Sequence, residues 1–307
     1  ENSNMAVRDY TKFFESMKFI VAAPEYREDS GGILVLHYLA HLLAIEGHDS
    51  IIAAKSTFPE SKARLKYWEM DSDQPDFCDG TEMVIYPEVI TNNPLHASHV
   101  TRWLLHKEGF HTGKAIEYGN NNLIFQYASF CEPLSRKPHG ILKIQWIRTD
   151  IFQNKHQRRR LFGFIVRKGK SKGPYKLKTR RHPPKSLPLD ASLSGELHEA
   201  ATAFNKVRII VCYDPATFWT ICASLCGCFV IIIPTKGINK NQFHRELPFF
   251  KYGIAYGFFD ILRALRTRSR IYETVNDEYQ ANLSSVKNYV EVVSSYFTEK
   301  STLGVLP

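Results

Sequence analysis

A short apolar run at residues 18–23 is closed by Pro24. A polar loop ending in Gly31 and Gly32 follows, then leucines at helical spacing over 33–45, up to Gly47. Apolar residues three or four apart bury one stripe of a helix, whereas a short continuous run between turn residues is a strand covered on both faces. Residues 50–54 supply a second such run, so the chain opens as strand, glycine loop, helix, strand, the unit from which parallel sheets are built. Residues 82–86, stopped by Pro87, predict another buried strand, 94–105 a helix, and 114–118 and 123–130 weaker strands. A second series starts beyond Pro133 and Pro138. It predicts strands at 161–166, 207–211, 228–233 and 253–256, helices at 193–204, 215–225 and 258–266, and a final helix over 271–297. In that last helix Val275, Tyr279, Leu283, Val286, Val290 and Val293 share a stripe, as in a helix lying along a domain surface. The expectation is an α/β protein of two units, with a boundary near residues 135–150.

With 307 residues, 44% of them hydrophobic, the chain has enough apolar material for two cores. Its net charge of +9 brings phosphate, nucleic acid and anionic membrane into consideration as partners. The excess is local: residues 155–185 hold thirteen Lys and Arg and no acid, while the remainder has twenty-seven basic residues against thirty-one acidic ones. Arg167, Lys168 and Gly169 directly follow the strand at 161–166. Basic side chains and a glycine at the carboxyl edge of a parallel strand face the crevice where such sheets bind ligands. Residues 170–185, with Gly173, Pro183 and Pro184, read as a solvated basic loop or a contact for an anionic membrane. No helix-turn-helix, zinc finger or basic run interleaved with aromatics is present, which argues against nucleic acid.

Four of the six cysteines fall within 212–228 without a CxxC spacing, so they read as reduced, buried and not zinc-binding. The first ten residues carry no apolar core of a secretory signal. The apolar stretch 218–234 is too short for a span and is broken by Gly227, so a cytoplasmic protein is expected. His96, His99, His106 and His111 lack the spacing of a metal site, and Asp71-Ser-Asp73 follows no strand, so no metal is expected.

The segment 207–234 has the most specific chemistry. Asp214-Pro215 pairs a capping residue with proline at the first helical position, so a helix starting there would aim its free amides and positive end at the crevice, which suits a diphosphate. Thr217 would add a hydroxyl; alternatively Asp214 is only a cap. At these residues the chain resembles the nucleotide-sugar-dependent glycosyltransferases of the GT-B fold, especially those related to glycosyltransferase family four. Those enzymes have a Glu-x7-Glu pattern before a small-residue helix end, a glycine and a buried strand. Asp214 stands at the first acidic position and Cys222 at the second, ahead of 223–227 and the strand 228–233. Ser30-Gly31-Gly32 with His37 and Gly47-His48 looks like the first loop and helix of such enzymes. Tyr86-Pro87-Glu88 with Asn93-Pro94 and 100–105, Arg167-Lys168-Gly169, Tyr213-Asp214 and 253–257 are similar to passages of bacterial and viral polysaccharide glycosyltransferases.

The resemblance spans about residues 18–297 and implies two Rossmann-like domains facing a cleft, 1–140 on the acceptor side and 141–307 on the donor side, and transfer of a sugar from a nucleoside diphosphate-sugar to a glycan or other hydroxyl acceptor, without metal or cofactor. It implies a donor site of Arg167, Lys168, Gly169, Tyr213, Asp214, Thr217 and Lys236, with Asp214 on hydroxyls of the sugar. Cys222 cannot accept a ribose hydroxyl well, so that contact does not carry over. Gly31, Gly32 and Asn93 would form the acceptor-side loop. Glu88 is the candidate general base, with a surface loop glutamate as the plain alternative, and Glu117 a weaker one. His37 is a second catalytic candidate, against a buried, hydrogen-bonded histidine. A nucleotide-sugar epimerase of the same fold, or a basic nucleic-acid-binding protein, are the competing functions.

Overall fold

The computed structural model describes residues 17–70, 77–78, 80–128, 136–166, 181–214, 217–234 and 237–302, without the side chains of 246, 249 and 298–302. It divides into two units, Glu1–Trp146 with Tyr279–Pro307, and Ile147–Glu278. Both are α/β and built on parallel sheets.

In the first unit β1 (Lys18–Ala22), β2 (Asp49–Ala53), β3 (Arg64–Lys66), β4 (Glu82–Pro87), β5 (His99–Leu104), β6 (Asn122–Gln126) and β7 (Gly140–Ile141) form one sheet in the order β3-β2-β1-β4-β5-β6-β7. Every neighbouring pair is parallel. Strands grow outward from β1 in one direction through β2 and in the other from β4, so the order reverses between β1 and β4. Such a reversal leaves a crevice at the carboxyl ends, because the connections leave to opposite sides.

Alternation of side chains sends successive residues of each strand to opposite faces. Phe19, Val21, Ile85, Trp103 and Phe125 pack under the helix α1 (Gly31–Ile45). Ile20, Ala22, Val84, Tyr86 and Val100 pack on the other face against Trp68, Ile90 and Leu95, which lie in loops. The links from β4 to β5 and from β5 to β6 contain no helix. The expected helix over 94–105 is therefore replaced by a loop and β5. Val100, Thr101 and Trp103 suit a pleated, doubly covered position, and Trp103 Nε1 donates to Leu142 O at 2.8 Å. The weak strand over 114–118 is also absent: that segment is a loop tied by Ile116 N to the Glu108 carboxylate at 2.6 Å and by Glu117 N to Thr91 O at 2.7 Å.

In the second unit β8 (Leu161–Ile165), β9 (Leu187–Pro188), β10 (Val207–Cys212), β11 (Phe229–Ile232) and β12 (Ile254–Tyr256) are all parallel, in the order β12-β11-β10-β8-β9. Helices α2 (Leu197–Lys206), α3 (Trp219–Leu225), α4 (Lys240–Glu246) and α5 (Ile261–Arg266) alternate with the later strands. At the amino edge of this sheet the turn after α3 needs Gly227, with φ +91. Arg159 binds Asn205 O and Cys226 O, and Arg268 binds Gly227 O, so guanidinium groups satisfy carbonyls at the ends of α2 and α3.

The last helix, α6 (Ile271–Thr302), begins in the second unit, but its residues from Tyr279 onward belong to the first. There Val286, Tyr289 and Val293 enter the core. Tyr289 Oη lies 3.0 Å from Thr101 Oγ1, and Asn282 and Ser285 hold the backbone at Gln145 and Lys143. The sequence reading had kept 141–307 together; the long helix instead returns the chain to the first sheet.

Candidate active site

In the second unit the strand order reverses between β8 and β10, because β9 lies outside β8 while β11 and β12 follow on the far side of β10. The carboxyl ends of β8 and β10 are joined by Tyr213 N donating to Ile165 O at 2.9 Å. Asp190, which follows β9, accepts the amide of Val166 at 3.0 Å. Tyr213 is fully buried, and its phenol oxygen accepts the Arg181 amide at 2.8 Å and lies 2.9 Å from His182 Nδ1. In the tautomer that places the His182 proton on Nε2, the phenol proton is donated to Nδ1. The His182 ring lies flat on Phe164, 3.9 Å between centroids at 6°. Partial burial lowers its pKa, which keeps the imidazole neutral at pH 7. A neutral ring held by stacking and by a phenol keeps one orientation, and in that tautomer Nε2–H is a donor of fixed direction.

Asp214 is buried beside this pair, and its backbone oxygen accepts from Cys212 Sγ at 3.2 Å. The residue at the N-cap of the described helix is Phe218. The expected helix start at 215 is displaced to Trp219, and the preceding turn is closed by Thr220 N and Oγ1, both donating to Thr217 O. Phe218 and Trp219 stack at 4.3 Å, and Trp219 packs on Phe152 and Phe204, so aromatic burial fixes the start one turn later than the capping signal. The helix that starts there has seven residues, and 215–216, where the amide-based phosphate site was expected to begin, lie outside the described residues. Thr217 is buried on this same edge. Arg167, Lys168, Gly169, Pro215, Lys236, most of the basic run and Asp71–Asp73 lie outside the described residues.

The other rim of the edge follows β11 and β12. Gly257 takes φ +82, its amide donates to Ile232 O at 2.8 Å, and a Cβ there would come within 3.1 Å of Pro234. Only glycine fits this approach of two strand ends.

In the first unit, the carboxyl ends of β1 and β4 carry Pro24 and Glu88. Glu88 is buried, and its Oε2 accepts the Leu105 amide at 3.0 Å, which ties the ends of β4 and β5. His37 is fully buried; Nε2 donates to Pro24 O at 3.0 Å and Nδ1 accepts from Thr57 Oγ1 at 3.1 Å. Burial lowers its pKa. Both ring nitrogens are engaged, so His37 holds the loop after β1 to the loop after β2 and acts as a positioning residue. Gly31 and Gly32 are not in the loop but begin α1, and a Cβ on Gly32 would only touch Leu105 at 3.7 Å.

Asn93 Oδ1 accepts from Tyr86 Oη at 3.0 Å and from Ala97 N at 3.1 Å, while its amide donates to Ala97 O at 2.9 Å. These three bonds close its own loop and leave one Nδ2 hydrogen uncommitted on a half-buried side chain. Buried Arg102 holds the same region: Nη1 donates to Ile90 O and Asn92 O at 2.9 Å each, Nε to Asn122 Oδ1 at 3.1 Å, and Nη2 to Glu117 O at 3.3 Å. Its guanidinium lies over Tyr86 at 5.0 Å.

No family profile matches this chain, and no curated protein matches it in sequence. Solved structures do resemble it. A glycosyltransferase from Rickettsia africae ESF-5 is 10% identical, with 93% of this chain and 98% of that chain covered at a TM-score of 0.43. MurG of Acinetobacter baumannii is 11% identical, with 91% and 99% covered at 0.35. The glycotransferase of kitacinnamycin is 10% identical, with 95% and 99% covered at 0.37. Likeness at this level does not bear on chemistry.

The sequence reading missed His182, Asp190 and Arg102. His182 lies at the end of a basic run beside two prolines, and nothing in its spacing shows that Phe164 and Tyr213 meet it. Arg102 was concealed by the helical assignment of 94–105.

Proposed function

We propose that this chain is a glycosyltransferase of the GT-B class, moving a sugar from a nucleoside diphosphate-sugar to a glycan or other hydroxyl acceptor without a metal ion. The observation that carries the reading is the His182–Tyr213 pair beside Asp214 at the strand-order reversal of the second unit, where the basic Arg167-Lys168-Gly169 follows β8 in sequence. As the anomeric C–O bond breaks, negative charge grows on the departing diphosphate, and donors fixed beforehand stabilise it most. Arg167, Lys168 and Lys236 would supply charge, the Gly169 amide a close approach, and His182 Nε2–H a neutral donor. Asp214 would accept from hydroxyls of the sugar, and Thr217 would line the same pocket.

The first unit would receive the acceptor. Glu88, tied through Oε2 to the Leu105 amide, is the candidate for taking the acceptor hydroxyl proton. The glycine start of α1 leaves room for an acceptor, and His37 and Arg102 shape the loops around it.

A thermal-shift panel of UDP, GDP, ADP and CMP tests the reading. A saturable shift by one nucleoside diphosphate is expected, with no equal shift by an oligonucleotide. Charge-assisted contacts are worth about 1.5–3 kcal/mol each, so Arg167→Ala should weaken that nucleotide by about one to two decades. Unchanged affinity in the variant would remove Arg167 from the donor site. Conversion of the donor without any acceptor would make the chain an epimerase instead.

A further inference from the structure

The turn Phe258–Asp260 and helix α5 present a two-sided element. Ala264 and the inner side of Ile261 pack on Phe229, Ile231 and Ala255 of the second unit. The outer side is also apolar: Phe259 is 108% exposed, Leu262 68%, Leu265 49% and Phe258 41%. Four large apolar side chains on one short outer face are too many to be incidental surface residues.

Cations neighbour them in sequence. Residues 240–270 contain seven Lys and Arg and two acids. Arg266 and Lys251 are exposed, while Arg270 is paired with Glu273 at 3.4 Å and lies over Tyr252 at 4.1 Å. One of the two acids, Asp260, is buried and paired with Arg263 at 2.5 Å and Lys240 at 3.3 Å, so it does not offset the outer charge.

We propose that this face is a docking surface for an anionic lipid bilayer. Phe259 and Leu262 enter the boundary between headgroups and acyl chains, while Arg266 and Lys251 meet lipid phosphates. An exposed apolar face rimmed by cations is the pattern of an interfacial helix, which lies in the plane of the membrane surface. A second copy of the chain on the same patch would bring like-charged arginines together, since a two-fold contact pairs a surface with itself. No helix among the described residues is long and apolar enough to cross a membrane, so this contact is peripheral. The inference does not depend on the sugar-transfer reading.

The experiment is co-sedimentation of the 307-residue chain with phosphatidylcholine vesicles and with an equal mixture of phosphatidylcholine and phosphatidylglycerol. Binding to the mixed vesicles is expected to exceed binding to neutral ones at least tenfold and to decline with salt. Replacing both Phe259→Ser and Leu262→Ser should lower partitioning by about tenfold or more, with an unchanged Tm because both side chains face outward. Arg266→Ala should lower it less. Mixed-vesicle binding that survives the double substitution, or absence of vesicle binding, overturns the proposal. So does a concentration-dependent dimer, seen by sedimentation velocity and dissolved by the same substitutions.

Discussion

The two strand-order reversals use their polar groups differently. In the first unit His37, Asn93 and Arg102 direct their bonding capacity inward, to Pro24, Thr57, Ala97, Ile90, Asn92 and Glu117. The effect is to hold long, helix-free loops in one arrangement over a sheet. In the second unit Tyr213 orients one histidine whose remaining N–H has no partner among the described residues. A crevice built the first way is a shaped wall; one built the second way offers a ligand a donor of fixed direction. The comparison assigns structural substitutions their largest effect in the first unit, and ligand-dependent ones in the second.

Arg102→Ala should have the greatest effect on folding. It leaves the buried Ile90 carbonyl and the half-buried Asn92 and Glu117 carbonyls without their donor and opens a cavity beside Tyr86, a loss of about 4 kcal/mol. Denaturant unfolding measures this loss, and Arg102→Lys should recover little of it because one ammonium cannot reach carbonyls on both sides. A near-neutral Arg102→Ala would mean that the loops stand without the guanidinium, and the contrast between the units would collapse.

Gly227→Ala is the counterpart at the amino edge of the second sheet. A Cβ there meets a positive φ and collides with the Arg159 guanidinium, so a loss of about 2–3 kcal/mol is expected. Donor-nucleotide affinity measured below the melting range should be unchanged, since this turn lies at the opposite end of the strands from His182.

Tyr213→Phe should separate binding from stability. Removing the phenol oxygen frees the His182 ring, and nucleotide affinity should fall about tenfold while the Tm changes little. His182→Phe keeps the stack on Phe164 but removes the donor, and should match that loss. If Tyr213→Phe lowers the Tm strongly and leaves affinity intact, the pair is only structural.

The strands that were legible in sequence are those whose apolar runs are bounded by proline or glycine, such as β1, β4 and β11. Their burial on both faces is written in composition alone. The region 94–105 misled because leucine and histidine at helical spacing mask a strand whose neighbours are remote in sequence. The start of α3 misled because a capping pair is a local signal worth about 1 kcal/mol, and the burial of Trp219 outweighs it. Glu88, Tyr213 and Asp214 were visible because strand ends in a parallel sheet share one edge. His182 was not, because the contact that orients it spans thirty-one residues. Arg102 is a cation satisfied mainly by backbone carbonyls, and sequence holds no signal for that.

Acid should weaken both units. Burial lowers the pKa of His37, His41, His48 and His139 in the first and of His182 and His244 in the second, His244 to about 4. For each, the folded state disfavours the proton that the unfolded chain takes up near pH 6.5. Stability is therefore full above about pH 6.5 and declines as pH falls toward each lowered value. Thermal melts at about pH 7.5 and pH 5 should show this decline, and His244→Gln should narrow the gap between them. An equal gap in the variant would remove His244 from the effect.

Gly32→Ala carries the smallest expected change and tests the wall of the first unit most directly. The residue lies in the first turn of α1 without a positive φ, and the added methyl meets only Leu105 at an ordinary 3.7 Å. A helical Gly→Ala change of this kind stabilises by about 0.5–1 kcal/mol, so the Tm should rise slightly and nucleotide binding should not change. If the acceptor passes over the start of α1, the methyl stands in its path, and the variant should raise the acceptor KM while leaving donor affinity as it was. A rise in donor Kd instead would move the donor to the first unit and reverse the assignment of the two crevices.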